Sequence, residues 1–318
     1  MKELIKKIAL SFGIYEELKL YKNIFNQNYT KYFKNSDRDK ENYIKKQFKK
    51  NIGYEIDFSK PPQTFNEKIQ FRKIYDKNPL YSICSDKYRV REYVKEKIGE
   101  QYLIPLFLVT DKLTKEQWDK LPNQFVAKAN HNSGPVQIVK DKNKVDKKKI
   151  IKELNNQLKL DYGVSSLEGY YSDIPRKIIV EKLLNENGSI PKDYKLHCFN
   201  IEKDTKIFLQ IDEDRFIDHK RSFFDENLNR LDLKITSEFA FGKSNIKDEI
   251  SSEQWDLMKK LSKKLSEDFD YTRIDLYIVS GKIYFGEITF CHGSGYEDFE
   301  PIEWDYKLGS YWKQEKLK

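Results

Sequence analysis

Cysteine is scarce in this chain: Cys84, Cys198 and Cys291 stand far apart among 318 residues. No C-x-x-C occurs and no disulfide framework can be drawn, so the thiols are expected to be reduced and the setting cytoplasmic. His197-Cys198 and Cys291-His292 supply zinc-binding atoms without zinc-binding spacing, because neighbours on a strand point to opposite faces. Long apolar runs are missing as well. No stretch of about eighteen apolar residues is present, so no transmembrane helix is expected. The opening MKELIKKIALSFGIYEEL breaks Leu4, Ile5, Ile8, Ala9 and Leu10 with lysines, and it lacks the core and small-residue site of an export signal. An amphipathic helix packed on the body is the plain reading of that segment. Weak peripheral contact of residues 1–20 with the inner face of a membrane is the sharper one. Also absent are an internal repeat, a low-complexity linker and any recognised nucleic-acid motif. The excess of 59 Lys and Arg over 51 Asp and Glu therefore implies solvated helix faces such as Lys147-Lys148-Lys149, or an anionic ligand, and no nucleic-acid partner.

The length suits two or three lobes with a sizeable core. Residues 1–60, rich in lysine and aromatics at helical spacing, read as a helical N-terminal extension closed by Pro61-Pro62. Residues 61–120 read as an α/β subdomain. It holds a capping box at Thr64-Phe65-Asn66-Glu67, a second helix starting at Ser85-Asp86, a strand near 103–109 and a helical turn from Thr114. Between 121 and 190 the texture changes to strand, loop and strand, then a basic helix over 146–159 and the buried strand KIIVEKLL, 177–184. Residues 191–318 open with two alternating strands, DYKLHCFN and TKIFLQI. A helix capped at Ser251 to Gln254 follows, with Trp255, Met258, Leu261 and Leu265 as its buried stripe. The whole reads as mixed, with antiparallel pairs rather than alternating βαβ units.

The most informative stretch is YTRIDLYIVSGKIYFGEITF, 271–290, which reads as a β-hairpin. A three-residue loop, Val279-Ser280-Gly281, pairs Ile278 with Lys282 and Arg273 with Glu287. That register gathers Ile274, Leu276, Ile278, Tyr284, Ile288 and Phe290 on one face, and Arg273, Asp275, Tyr277, Ile283, Phe285, Glu287 and Thr289 on the other. A two-residue loop would set Glu287 among Ile274 and Leu276, an unpaired carboxylate on an apolar face. Asp275 and Glu287 are then diagonal neighbours about 7–8 Å apart, near enough to share a metal ion.

Upstream, Lys128 lies in the strand 125–130 and is followed by Asn130-His131-Asn132-Ser133-Gly134, a polar loop whose backbone N–H groups suit phosphate. It is no Walker loop, since the lysine precedes the loop and no GK[ST] follows; an ordinary hairpin is the competing reading. Asp193, Lys195 and His197 alternate along one strand and share a face. Glu181 stands in an otherwise apolar strand, where it can accept from an adenine amino group or form an ion pair at a strand end. Arg215 ends the strand after that. The order is lysine, glycine loop, glutamate, basic strand, then a carboxylate pair with an arginine.

That order resembles the ATP-grasp fold, and the wording resembles its TupA-like branch, associated with teichuronopeptide and other surface-polysaccharide gene clusters. FNEKIQFRKIYDKNPLY (65–81), SDKYRVREYVKEKIGEQYLIPL (85–106), LPNQFVAKANHNSG (121–134), IIVEKLL (178–184), DYKLHCFN (193–200) and TRIDLYIVSGKIYFGEITFCHGSG (272–295) carry the likeness. It implies an α+β fold in which two lobes clamp ATP, 121–190 being the small lobe and 191–318 the C-terminal lobe with the metal site. It further implies that Lys87 and Lys128 touch phosphates and that His131, Asn132, Ser133 and Gly134 close over them. Glu181 and the backbone near Leu183 would hold adenine, and Asp193 the ribose. Lys195 and Arg215 would meet the transferring phosphate, Asp275 and Glu287 would hold Mg²⁺, and Arg273 would steady the phosphoryl group. Thr289 stands where many relatives have asparagine, which bears on a second Mg²⁺. The implied activity is an ATP-dependent ligase that joins a carboxylate, such as a uronic acid in a nucleotide sugar or glycan, to an amine, with His131, His197 or His292 as base. The alternatives are a sugar or metabolite kinase and a non-catalytic nucleotide-binding scaffold.

Overall fold

The computed structural model of the chain describes residues 15–185, 189–202, 204–213, 220–235, 242 and 245–314. The segment with Leu4 to Leu10, and Arg215, lie outside the described residues. In chain order the first half gives α1 (Tyr15–Phe33), α2 (Asp37–Ile52), α3 (Phe65–Tyr75), α4 (Leu80–Ser85), α5 (Val90–Lys97), β1 (Leu106–Thr110), α6 (Lys115–Lys120), β2 (Phe125–Ala129), β3 (Gln137–Val139), α7 (Lys147–Gln157), α8 (Tyr162–Ser166) and β4 (Ile178–Glu181). The second half gives β5 (Asp193–Ile201), β6 (Asp204–Glu213), β7 (Lys220–Phe224), β8 (Lys234–Ile235), α9 (Ile246–Glu249), α10 (Ser252–Ser266), β9 (Tyr271–Val279), β10 (Lys282–Thr289), β11 (Phe299–Glu300) and α11 (Glu303–Tyr311). No described helix is long and apolar enough to cross a membrane. The helix expected from Ser85 starts later, at Val90, because residues 87–89 form a turn.

Two compact units result, Met1–Lys40 with Leu106–Leu183, and Glu41–Pro105 with Leu184–Lys318. In the first, a four-stranded sheet runs in the order β1-β4-β2-β3 with antiparallel pairs throughout. Phe125, Ala127, Val139, Ile178 and Val180 form one face, packed with Trp118 of α6 and with Ile150 and Leu154 of α7. Local chemistry fixes these helices: Thr114 and Gln117 close a capping box on α6, and the Asp146 carboxylate accepts from Lys149 N at the start of α7. The first unit also holds α1. Its Gln27 bonds to Ser165 Oγ at 2.7 Å, and its Glu17 pairs with Lys152 at 2.6 Å.

The second unit is built on a five-stranded antiparallel sheet, β10-β9-β5-β6-β7. Leu196, Cys198, Ile207, Leu209, Ile274 and Leu276 are buried along one face, and α10 packs against β5 and β9 there. The other face changes character along its length. At one end Phe199, Phe208, Phe223 and Tyr271 join Phe65 and Ile69 of α3, Leu308 of α11, and Trp312 in an aromatic core. The rest of that face carries charge.

The hairpin β9–β10 corrects the register expected from the sequence. Its loop is two residues, Ser280 and Gly281, both at positive φ (50° and 77°), which matches the right-handed twist of the strands. Lys282 faces Val279, Ile283 faces Ile278, Tyr284 faces Tyr277 and Phe285 faces Leu276. Ile283 and Phe285 therefore share the apolar face with Leu276, and Tyr284 leaves it. A β-bulge between Phe285 and Glu287 then absorbs Gly286 as an extra residue and sets Glu287 opposite Asp275 and Thr289 opposite Arg273. Glu287 reaches the charged face through the bulge rather than through an odd loop. It is the direct cross-strand neighbour of Asp275, not a diagonal one.

Candidate active site

In the first unit, alternation puts Lys128 on the sheet face opposite α7. Its ammonium lies 2.7 Å from Glu181 Oε2, because β2 and β4 pair with Lys128 opposite Ile179 and Val126 opposite Glu181. The two residues expected to take phosphate and adenine thus meet each other, and Leu183 is buried just beyond. The loop after β2 is tied down by its own side chains. Asn130 Oδ1 accepts from Lys177 N at 2.7 Å and its Nδ2 donates to Pro175 O at 2.9 Å. His131 is fully buried and pairs through Nε2 with the Leu160 carbonyl at 3.1 Å; a carbonyl only accepts, so Nε2 carries the proton. The ring anchors the loop through that bond. Asn132 Oδ1 accepts from Gly134 N at 3.1 Å, leaving Ser133 exposed at the tip.

In the second unit Lys87 is half-buried in the turn before α5, where the Asp86 carboxylate accepts from Tyr88 N at 2.8 Å. The charged sheet face collects Asp193, Lys195 and His197 from β5, as their alternation foretold. It also collects three groups that the motif reading passed over, Gln210 and Asp212 from β6 and Arg221 from β7. Lys195 is buried within 2.9 Å of Asp193, 3.2 Å of Asp212 and 3.9 Å of Asp275. Arg221 Nε reaches Asp212 Oδ1 at 2.6 Å. Burial raises the Asp212 pKa, but Lys195 and Arg221 outweigh it and hold the carboxyl well below its usual range.

Arg273 is the centre of the other half of the face. It grips Asp275 with two hydrogen bonds, Nε to Oδ1 at 2.6 Å and Nη2 to Oδ2 at 2.7 Å. The same Nη2 lies 3.1 Å from Glu287 Oε1, and Thr289 Oγ1 donates to that oxygen at 3.3 Å. Desolvation pushes Asp275 up to about 6, assisted by Glu287 and opposed by Arg273 and Lys195. Arg273 Nη1 donates to His292 Nδ1 at 2.7 Å, which places the His292 proton on Nε2, 3.5 Å from Glu297 Oε1. Burial first, then His197 and Arg273, keep His292 neutral. His197 is held down to about 3, by burial first and then by Arg273. It donates from Nε2 to Gln210 Oε1 at 2.9 Å, and Gln210 passes its own N–H to Asp212 at 3.2 Å.

His292 and Glu297 belong to a loop that α3 holds in place. Asn66 Nδ2 donates to Glu297 O at 2.8 Å, Gln70 Nε2 to Gly295 O at 2.7 Å and Lys73 Nζ to Ser294 O at 2.7 Å. Asn66, Gln70 and Lys73 fall at i, i+4 and i+7, one face of the helix. A buried polar stripe on a helix that also carries Phe65, Ile69 and Phe71 was the available signal. The loop needs the support, since Gly293, Ser294 and Gly295 all sit at positive φ.

The residues present fit a divalent ion. Asp275 Oδ2 and Glu287 Oε1 converge on one cationic nitrogen, and Glu287 is half-exposed on the side away from the core. Among the described residues no group of three or more His, Cys, Asp or Glu could hold a metal alone. A two-carboxylate donor set of this kind suits Mg²⁺, which completes its octahedron with phosphates and water.

A family profile described as TupA-like ATPgrasp matches residues 67–313. The chain belongs to the TupA-like ATP-grasp family. Its α+β architecture, with antiparallel sheets and N-terminal helices, is that of the ATP-grasp fold. Similar solved structures include D-alanine-D-alanine ligase from Helicobacter pylori, at 18% identity and TM-score 0.41, covering 71% of this chain and 59% of that one. N5-carboxyaminoimidazole ribonucleotide synthetase from Thermus thermophilus is 10% identical with TM-score 0.40, covering 68% and 47%. A Bacillus anthracis D-alanine-D-alanine ligase complexed with ATP is 17% identical with TM-score 0.35, covering 65% and 53%. This ATP-grasp chain therefore spans about half to three fifths of the length of those structures. Among curated proteins no sequence matches it.

Proposed function

We propose that the chain is an ATP- and Mg²⁺-dependent carboxylate–amine ligase, with a uronic acid of a nucleotide sugar or surface glycan as the acid. One observation carries the reading: in a member of the ATP-grasp family, two carboxylates on neighbouring strands converge on an arginine, and a buried lysine stands beside them. In the first unit, Lys128 and the backbone at Ser133 and Gly134 would hold ATP phosphates, with Glu181 and Leu183 toward adenine. In the second, Lys87 would add a phosphate contact, Asp193 a ribose contact, and Asp275, Glu287 and Thr289 the metal ligands. Bound Mg²⁺ would neutralise charge on the phosphoryl oxygens.

The substrate carboxylate attacks the γ-phosphorus, the bond to the β,γ-bridging oxygen breaks, and an acyl phosphate and ADP result. The amine then adds to the acyl carbon, phosphate departs with the C–O electron pair, and the amine proton is lost to a base. Lys195, Arg221 and Arg273 are positioned on one face to balance negative charge during both steps, and Arg215 is assigned the same task. His197 and His292 are neutral and buried; a base with access to substrate is sought first at Glu297, whose carboxyl burial raises above its ordinary range.

Phosphorus NMR with Mg-ATP, uronic-acid sugars and amines tests the reading. ADP and free phosphate should form only when acid and amine are both present, and Glu287→Gln should slow their formation at least about a hundredfold, the equivalent of ~2.7 kcal/mol. A phosphoester in place of free phosphate would make the chain a kinase. Undiminished turnover by Glu287→Gln would remove the metal assignment.

A further inference from the structure

The first unit contains a second recognition feature, whose wall includes neither Lys128 nor Glu181. A cavity of about 380 Å³ is walled by Asn23, Asn26 and Gln27 of α1, by Asn132, and by Gln157 of α7. That volume lies near the low end of the ~300–1,000 Å³ usual for small-molecule sites. The lining holds five carboxamides and no Lys, Arg, Asp or Glu, in a chain of which 35% is charged. We propose that this cavity binds an uncharged carbohydrate, a ring whose hydroxyls both give and take hydrogen bonds. The inference goes beyond the ligase reading and is argued from this cavity, whose wall shares Gly134 with the loop proposed above for phosphate.

The chemistry of the wall selects that class. A carboxamide presents donors and an acceptor on one rigid plane, which is what vicinal hydroxyls require. A phosphate or carboxylate would find no cation in the lining. Asp161, between the lining residues Leu160 and Tyr162, is already compensated: it accepts from Ser172 Oγ at 2.6 Å and faces Arg176 at 3.4 Å and Lys31 at 3.6 Å. Leu160 and the ring of Tyr162 add the apolar patch on which the C–H face of a sugar can rest. Tyr162 is steadied edge-on by Tyr171, with centroids 4.9 Å apart.

Part of the wall is locked and part is open. Gln27 is fixed at both ends, Nε2 donating to Ser165 Oγ at 2.7 Å and Oε1 accepting from Asp161 N at 2.9 Å. Asn132 is fixed by Gly134 N and by Gln157 Oε1, at 3.1 and 3.2 Å. By contrast, the side chains of Asn23 and Asn26 and the NH₂ of Gln157 make no hydrogen bond among the described residues. A rigid half sets the shape and a free half reads the ligand, the division expected of a preorganised site. Asn132 and Gly134 also belong to the loop after β2, so an occupant would stiffen that loop.

Saturation-transfer NMR and calorimetry on the full chain, without ATP, test the proposal. Methyl glucoside and N-acetylglucosamine serve as neutral probes, and glucuronate and glucose 6-phosphate as charged ones. At least one neutral sugar should bind, more tightly than either charged one. Asn26→Leu should weaken it about tenfold or more, whereas Asn28→Leu, an equal change on the same helix outside the cavity, should not. An unchanged melting temperature in both variants would establish that the helix is intact. Failure of both neutral probes, equal binding by Asn26→Leu, or preference for a charged sugar would each overturn the assignment, and none of these outcomes bears on the acyl-phosphate chemistry.

Discussion

Lys128 and His197 show how differently two basic side chains are used. Lys128 keeps part of its surface open and, among the described residues, forms its ion pair with Glu181. Replacing it with alanine should raise the apparent KM for ATP about tenfold or more, since one charge-assisted phosphate contact is worth about 1.5–3 kcal/mol, and because it takes this partner from the buried Glu181 carboxylate the melting temperature should fall as well. His197 has almost no open surface. Its folded pKa of about 3 lies below the 6.5 of an ordinary histidine, so between those values the unfolded chain binds more protons. The stability it confers is complete above about pH 6.5 and is lost as pH falls. Urea unfolding of wild type and His197→Gln should show the gap between them shrinking by about 2 kcal/mol from pH 7 to pH 5. Asp305, raised to about 6 by burial, works in the opposite direction in both proteins and cancels in the difference.

At the scale of elements, Gly286 matters most. A Cβ there would lie 2.9 Å from the Tyr277 ring and 3.0 Å from the Asp275 carbonyl oxygen, and the carbonyl belongs to backbone that cannot swing aside. Gly286→Val should cost about 1–3 kcal/mol, read as a lower urea midpoint, and it should impair turnover beyond that loss by moving Glu287. This strand also marks where the sequence stopped being legible. Alternation in Arg273-Ile274-Asp275-Leu276 and in Asp193-Tyr194-Lys195-Leu196-His197 gave the charged face, because period-two patterns survive any choice of neighbour. Alternation could not give the register of β10, because a bulge breaks the period where the glycine stands. Gln210, Asp212 and Arg221 were missed for another reason. Gln210-Ile211-Asp212 alternates as plainly as β5 does, but which strands lie side by side is decided by long-range pairing. The helix α3 hid its role because asparagine, glutamine and lysine on a helix are read as solvent-facing until a partner loop is seen.

For the molecule as a whole, Asp270 joins parts of the second unit that are far apart in sequence. It meets Arg72 of α3, accepts from Trp312 Nε1 at 2.6 Å and from Tyr271 N at 2.7 Å, and Arg72 itself lies 4.2 Å over the Trp312 ring. Asp270→Ala would leave the Arg72 guanidinium buried without its main counter-charge; a loss of about 3–5 kcal/mol is expected, measurable as a lower chemical-denaturation midpoint. The grip of Arg273 on Asp275 has a different kind of consequence, for the order of events in solution. A bare divalent ion approaching that carboxylate must first evict a guanidinium already seated there, a poor exchange of one cation for another. An ion delivered on a polyphosphate brings its own negative charge, to which the displaced guanidinium can turn. The proposed site would thus ignore the free metal of its surroundings and admit it only as a passenger of the nucleotide.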